Sequence, residues 1–136
     1  MKYKFVDKIT SDVMFEAYGK SFEELLLNSA EALSSIICKI DKVSADKKIT
    51  VALEGKDEKD LLFNWLQEII AAVDIKEMFF SKFKITSLKG NKLTAELYGE
   101  EITPEKGETV VKAVTYHKFE LEKKDESYKA VVSVDI

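Results

Sequence analysis

The sequence predicts an α+β protein in which two helices pack against largely antiparallel β-sheet layers, as a single compact domain over residues 1–136. Three observations lead there. Two segments carry apolar residues at steps of three and four. Seven others are rich in Val, Ile, Phe, Tyr and Thr. The order is strand, strand, helix, strand, helix and then four strands, without the regular βαβ alternation of a parallel sheet.

The first two strands are expected over Lys2–Asp7 and Val13–Tyr18. Ser21-Phe22-Glu23-Glu24 then reads as a capping box, in which the Ser21 hydroxyl can accept from an amide of the first turn and Glu24 can reach back to the cap residue. Phe22, Leu25, Leu26, Leu33, Ile36 and Ile37 fall on one side, so a helix should run from about Phe22 to Cys38. A strand over Lys48–Leu53 follows. Asp57 can cap the second helix, whose stripe is Leu61, Leu62, Trp65, Leu66, Ile69, Ile70 and Val73. Trp65 sits inside that stripe and is expected to anchor the core rather than to stack on a base. The remaining strands are expected over Phe79–Leu88, Lys92–Tyr98, Val110–Leu121 and Tyr128–Val134. Lys89-Gly90-Asn91 is a short hairpin link, Lys123–Ser127 links the last pair, and Glu100–Glu108 reads as a longer loop.

Composition narrows the function classes. Of 136 residues 46% are hydrophobic and 34% charged, with one Pro and five Gly, the balance of a globular chain rather than a disordered one. The longest nearly apolar run, Leu66 to Val73, is broken by Gln67 and Glu68 and falls far below the ~20 residues of a membrane span. The start, Met1-Lys2-Tyr3-Lys4-Phe5, has neither an apolar h-region nor a small-residue cleavage site, so a cytoplasmic protein is expected. One cysteine, Cys38, cannot form an internal disulfide and is expected as a buried thiol. With 21 basic and 25 acidic residues the net charge is -4, so the whole molecule is a poor match for a polyphosphate and is expected to contact RNA at most indirectly.

No phosphate-cradling Gly-rich loop, His-Glu-x-x-His helix, zinc-type Cys pair or Gly-x-Ser-x-Gly elbow is present, which weighs against a standard nucleotide-hydrolysing or zinc enzyme. The chemistry-bearing residues stand apart from one another. Asp12 precedes one apolar strand and Asp135 follows another. If those strand ends meet, they and the terminal carboxylate of Ile136 form a hard oxygen cluster of the kind that holds Ca²⁺, Mg²⁺ or Mn²⁺. The single histidine, His117, is grouped by strand alternation with Val111, Ala113, Phe119 and Leu121.

Taken together these residues resemble the archease family. The matching pieces are Thr10-Ser11-Asp12-Val13, Ala17-Tyr18-Gly19, Ser21-Phe22-Glu23-Glu24, Asp60-Leu61-Leu62 and Trp65-Leu66-Gln67-Glu68-Ile69-Ile70. They continue with Tyr98-Gly99-Glu100, Val111-Lys112-Ala113-Val114-Thr115-Tyr116-His117 and the closing Asp135-Ile136. One departure stands out: the family usually reads His-Thr-Ala-Asp where this chain has Ile9-Thr10-Ser11-Asp12. The resemblance implies helices layered on antiparallel strands, with the termini near Asp12. It also implies an accessory protein, not an independent enzyme, that assists the RtcB-type RNA ligase sealing tRNA halves, by promoting GMP transfer onto a ligase histidine and multiple turnover. Asp12, Asp135 and the Ile136 carboxylate match the family's metal-binding positions, while Lys112 and His117 match its other polar positions nearby. The residues alone leave three further readings open: a stand-alone metal-dependent phosphoester hydrolase with His117 as general base, a chaperone and a direct RNA binder.

Overall fold

The computed structural model describes every residue except Thr10 and Ser11, and describes no side chain between positions 7 and 11, so the family-departing Ile9-Thr10-Ser11 triplet lies outside the described side chains. Among the described residues the α-helices and strands follow one another as β1 (Tyr3–Ile9), β2 (Asp12–Gly19), α1 (Phe22–Ile37), β3 (Lys47–Glu54), α2 (Glu58–Lys76), β4 (Met78–Lys89), β5 (Lys92–Glu101), β6 (Ala113–Lys124) and β7 (Ser127–Asp135). They make the expected α+β domain with two antiparallel sheets, one ordered β1-β2-β7-β6 and the other β3-β5-β4.

Both helices start as their caps dictate. Ser21 Oγ accepts from the Glu24 amide at 3.1 Å, and Asp57 accepts from the Asp60 amide at 2.8 Å, satisfying donors that a first helical turn leaves open. Each helix touches strands of both sheets. Phe15, Leu25, Leu26, Leu33, Leu61, Leu62, Leu66, Ile69 and Leu97 therefore form one continuous core. Trp65 is fully buried, and its indole N–H donates to the Leu26 carbonyl at 2.9 Å, tying α2 to α1. Ser34 Oγ donates to the Phe80 carbonyl and ties α1 to β4. Cys38 is buried as expected, and burial pushes its thiol pKa up.

Most element ends differ from the sequence reading by one to three residues, and two regions differ for a physical reason. β6 begins at Ala113 rather than Val110, because the chain before it closes off α1 instead of extending the sheet. The Glu108 and Thr109 amides donate to the Ile37 and Ile36 carbonyls at 3.0 and 3.2 Å. These are carbonyls that the end of α1 would otherwise leave without partners. The expected loop at Glu100–Glu108 is shorter, since β5 runs on to Glu101 and a 3₁₀ turn occupies Pro104–Lys106.

Candidate functional site

Antiparallel pairing of the two central strands of the larger sheet sets Asp12 directly opposite Asp135. Side chains so opposed have Cβ atoms about 4.5–5.5 Å apart, and like charges there destabilise the sheet. Among the described residues neither aspartate takes part in an ion pair. Ile136 follows at once, and its side chain packs against the core. No group of three His, Cys, Asp or Glu side chains gathers among the described residues.

The surroundings are held from both sides. Lys112 lies just before β6, and its amide donates to the Asp135 carbonyl at 2.8 Å while its side chain is exposed. Ala113 is the register partner of Asp135. One residue further, the Val114 amide points away from β7 and donates to Gln67 Oε1 at 2.7 Å, so α2 satisfies the free edge of β6 next to the acidic end. Ser133, two residues before Asp135 on the same face, is fully buried and its hydroxyl has no partner. Hard oxygen donors with an orphaned hydroxyl nearby fit a divalent cation of the Ca²⁺, Mg²⁺ or Mn²⁺ kind better than a soft metal. Lys112 also lies at one end of an open groove of about 880 Å³ between the second half of α2 and the 102–112 segment. Val110 on its rim is 82% exposed.

His117 is placed elsewhere. Register between β6 and β7 jumps from Thr115–Ser133 to Glu120–Val131, so residues 116–119 bulge opposite Val132 alone, with Lys118 at φ 55°. Tyr116 stacks on Phe63 of α2 at 4.1 Å between ring centroids, and Phe119 meets the same ring edge-on at 5.3 Å. The bulge reverses the alternation: Val114 faces the core before it, Phe119 after it, and His117 is exposed inside it. The grouping of His117 with Val111, Ala113, Phe119 and Leu121 is thus corrected. Asp12, Asp135, Ile136 and the Lys112 backbone come together, and His117 makes no described contact with them. Gln67 and Ser133 escaped the sequence reading, since only the packing of α2 on β6 and the strand register show that they lie at the end of β6 and β7 that carries Asp135.

No described helix is long and apolar enough to cross a membrane. The family model described as "Archease protein family (MTH1598/TM1083)" matches residues 3–136. An archease of Methanosarcina mazei is 36% identical over 141 residues, covering 99% of this chain and 96% of its own. One of Pyrococcus abyssi is 39% identical over 119 residues, covering 84% of each. The solution structure of a Methanobacterium thermoautotrophicum protein superposes with TM-score 0.83 at 33% identity, covering 98% of both chains. A Thermotoga maritima archease described as a possible chaperone shares the fold, with TM-score 0.67 at 23% identity over 96% of this chain and 95% of that one. The chain belongs to the archease family.

Proposed function

We propose that this archease is a cytoplasmic accessory protein that activates an RtcB-type tRNA-splicing RNA ligase, promoting its guanylylation and multiple turnover. Family membership supports an accessory role, and the opposed, half-buried Asp12 and Asp135 at one sheet end are the observation that carries the reading. Asp12, Asp135 and the Ile136 carboxylate would hold the divalent cation. When bound, such an ion neutralises charge that develops on phosphate oxygens during nucleotidyl transfer. Ile136 packs against the core, the Lys112 amide holds the Asp135 carbonyl, and the exposed Lys112 ammonium is free to steer a phosphate toward the acidic end. Val110 and the groove beside Lys112 offer the ligase an apolar rim next to that end.

The test is guanylylation of the ligase from the same organism at substoichiometric ligase, with GTP and Mn²⁺. Faster GMP transfer and repeated turnover are expected with the wild-type chain, and loss of both with Asp12→Ala or Asp135→Ala. Undiminished stimulation by both variants would sink the reading. A binding readout accompanies it: Ca²⁺ or Mn²⁺ at about 100 times its Kd should stabilise the wild type by about 2.7 kcal/mol, and leave the double alanine variant unchanged.

A further inference from the structure

The net charge of -4 averages over a molecule whose charges are segregated. The outward face of the three-stranded sheet carries five lysines, Lys48, Lys82, Lys84, Lys89 and Lys92, against three carboxylates, Glu54, Glu96 and Glu100. Lys48 is paired with Glu96 at 3.1 Å and Glu100 with Lys106 at 2.8 Å, which leaves four lysines of this face, with Lys84 opposite Glu96, and the carboxylate of Glu54 outside any ion pair among the described residues. Lys89 stands directly opposite Lys92, a like-charge juxtaposition that weakens a sheet. Lysines on the edge strands β3 and β4 serve to block edge-to-edge pairing. That purpose does not account for Tyr98 on the central strand β5, nor for Lys92, which stands between Glu54 of β3 and Lys89 of β4. Lys82 Nζ sits 5.4 Å from the centre of the Tyr98 ring, and the Tyr98 hydroxyl donates to Glu96 at 2.7 Å.

We propose that this open sheet face binds the backbone of single-stranded RNA, with Lys82, Lys84, Lys89 and Lys92 on phosphates and the Tyr98 ring against a base. Strand alternation puts Lys82 and Lys84 on one face about 7 Å apart, a row of cations suited to a linear polyanion. The ring adds a π surface that stacks on any unpaired base and that an acidic peptide has no use for. Composition alone suggests that RNA is contacted at most indirectly; segregation of charge onto one sheet removes the reason. No ligase takes part, so RNA binding by this face and activation of a ligase can fail independently of each other.

The experiment is fluorescence anisotropy of a labelled single-stranded RNA oligonucleotide titrated with the full chain. Neutralising about four phosphates predicts a salt slope near -2.8, so affinity should fall about 50-fold between ~50 and ~200 mM salt. The double variant Lys82→Glu/Lys84→Glu should weaken binding at least tenfold at low salt with unchanged thermal unfolding, and Lys89→Glu/Lys92→Glu should do the same. Lys124→Glu, on the other sheet, should leave it unchanged. Absence of RNA binding at ~50 mM salt, full affinity in both double variants, or equally tight binding of a polyglutamate peptide would each overturn the proposal.

Discussion

The passage from β2 into α1 and the passage from β3 into α2 use the same parts. Gly19-Lys20-Ser21 in one corresponds to Gly55-Lys56-Asp57 in the other. In the first, Glu24 Oε1 accepts from the Lys20 amide at 3.2 Å and the Asn28 side chain donates back to the Tyr18 carbonyl at 2.7 Å. In the second, Asp60 Oδ2 accepts from the Lys56 amide at 2.8 Å and Asn64 donates to the Glu54 carbonyl at 3.0 Å. The far ends of the strands differ. Counting back equally from the two glycines reaches Asp12 in β2 and Lys48 in β3. Asp12 faces Asp135 and takes part in no ion pair among the described residues, whereas Lys48 faces Tyr98 and is paired with Glu96. The scaffold repeats and the acidic pair does not, so the strand-to-helix unit forms in β3 and α2 without two opposed aspartates.

The largest way to break the comparison is at the glycines. A Cβ at Gly19 or Gly55 would run into the backbone nitrogen of Leu25 or Leu61, in the helix that follows. Because backbone cannot swing aside as a side chain can, Gly19→Ala and Gly55→Ala should each cost about 3 kcal/mol, the upper range for overpacking. Urea unfolding measures both; a large loss at one and none at the other would mean that the two turns are not equivalent. The asparagines should separate the units. Asn28 is buried, so Asn28→Ala strands the Tyr18 carbonyl and should cost about 1.5 kcal/mol, while Asn64→Ala, in a more exposed bond, should cost about 0.5 kcal/mol. Ser21→Ala and Asp57→Ala should each cost about 1 kcal/mol, the usual value of an N-cap.

What could be read in the sequence follows from this pattern of local and distant causes. The helices and their starts were legible because a stripe of apolar residues and a cap at Ser21 or Asp57 act within a few residues of chain. The end of α1 and the start of β6 were not, since the Ile36 and Ile37 carbonyls are satisfied by amides some seventy residues away. His117 was misplaced for the same reason: the bulge that exposes it depends on stacking of Tyr116 against Phe63 in α2, which no alternation within β6 can reveal. Asp12 and Asp135 were singled out as strand-end acids, but their opposition is a property of register. The basic face was hidden altogether, because it sums side chains from three strands whose order in the sheet, β3-β5-β4, is not their order in the chain.

The smallest effect tests the comparison most finely. Each sheet carries a Glu-x-Tyr-Gly segment on its outward face, Glu16 to Gly19 in β2 and Glu96 to Gly99 in β5, and in both the tyrosine hydroxyl donates to the glutamate, at 2.6 and 2.7 Å. Bonds from Tyr18 and Tyr98 hold the two carboxyls below the usual 4.5, helped by Lys129 and Lys4 in one case and by Lys48 in the other. A lowered carboxyl stabilises the fold above its unfolded pKa, and that stabilisation is lost as pH falls from about 4.5 through the folded value. Tyr18 is pushed up to about 12, first by burial and then by Glu16, so the stability it contributes is complete below pH 10 and disappears between there and about 12. For Tyr98 the hydrogen bond to Glu96 comes first and burial second. Ultraviolet titration of the phenolates should therefore separate them. Glu16→Gln leaves Tyr18 raised by its burial, whereas Glu96→Gln brings Tyr98 back toward 10. Equal responses would mean that the two tyrosines share one environment, and that the sheets differ in their lysines and not in how deeply each holds its tyrosine.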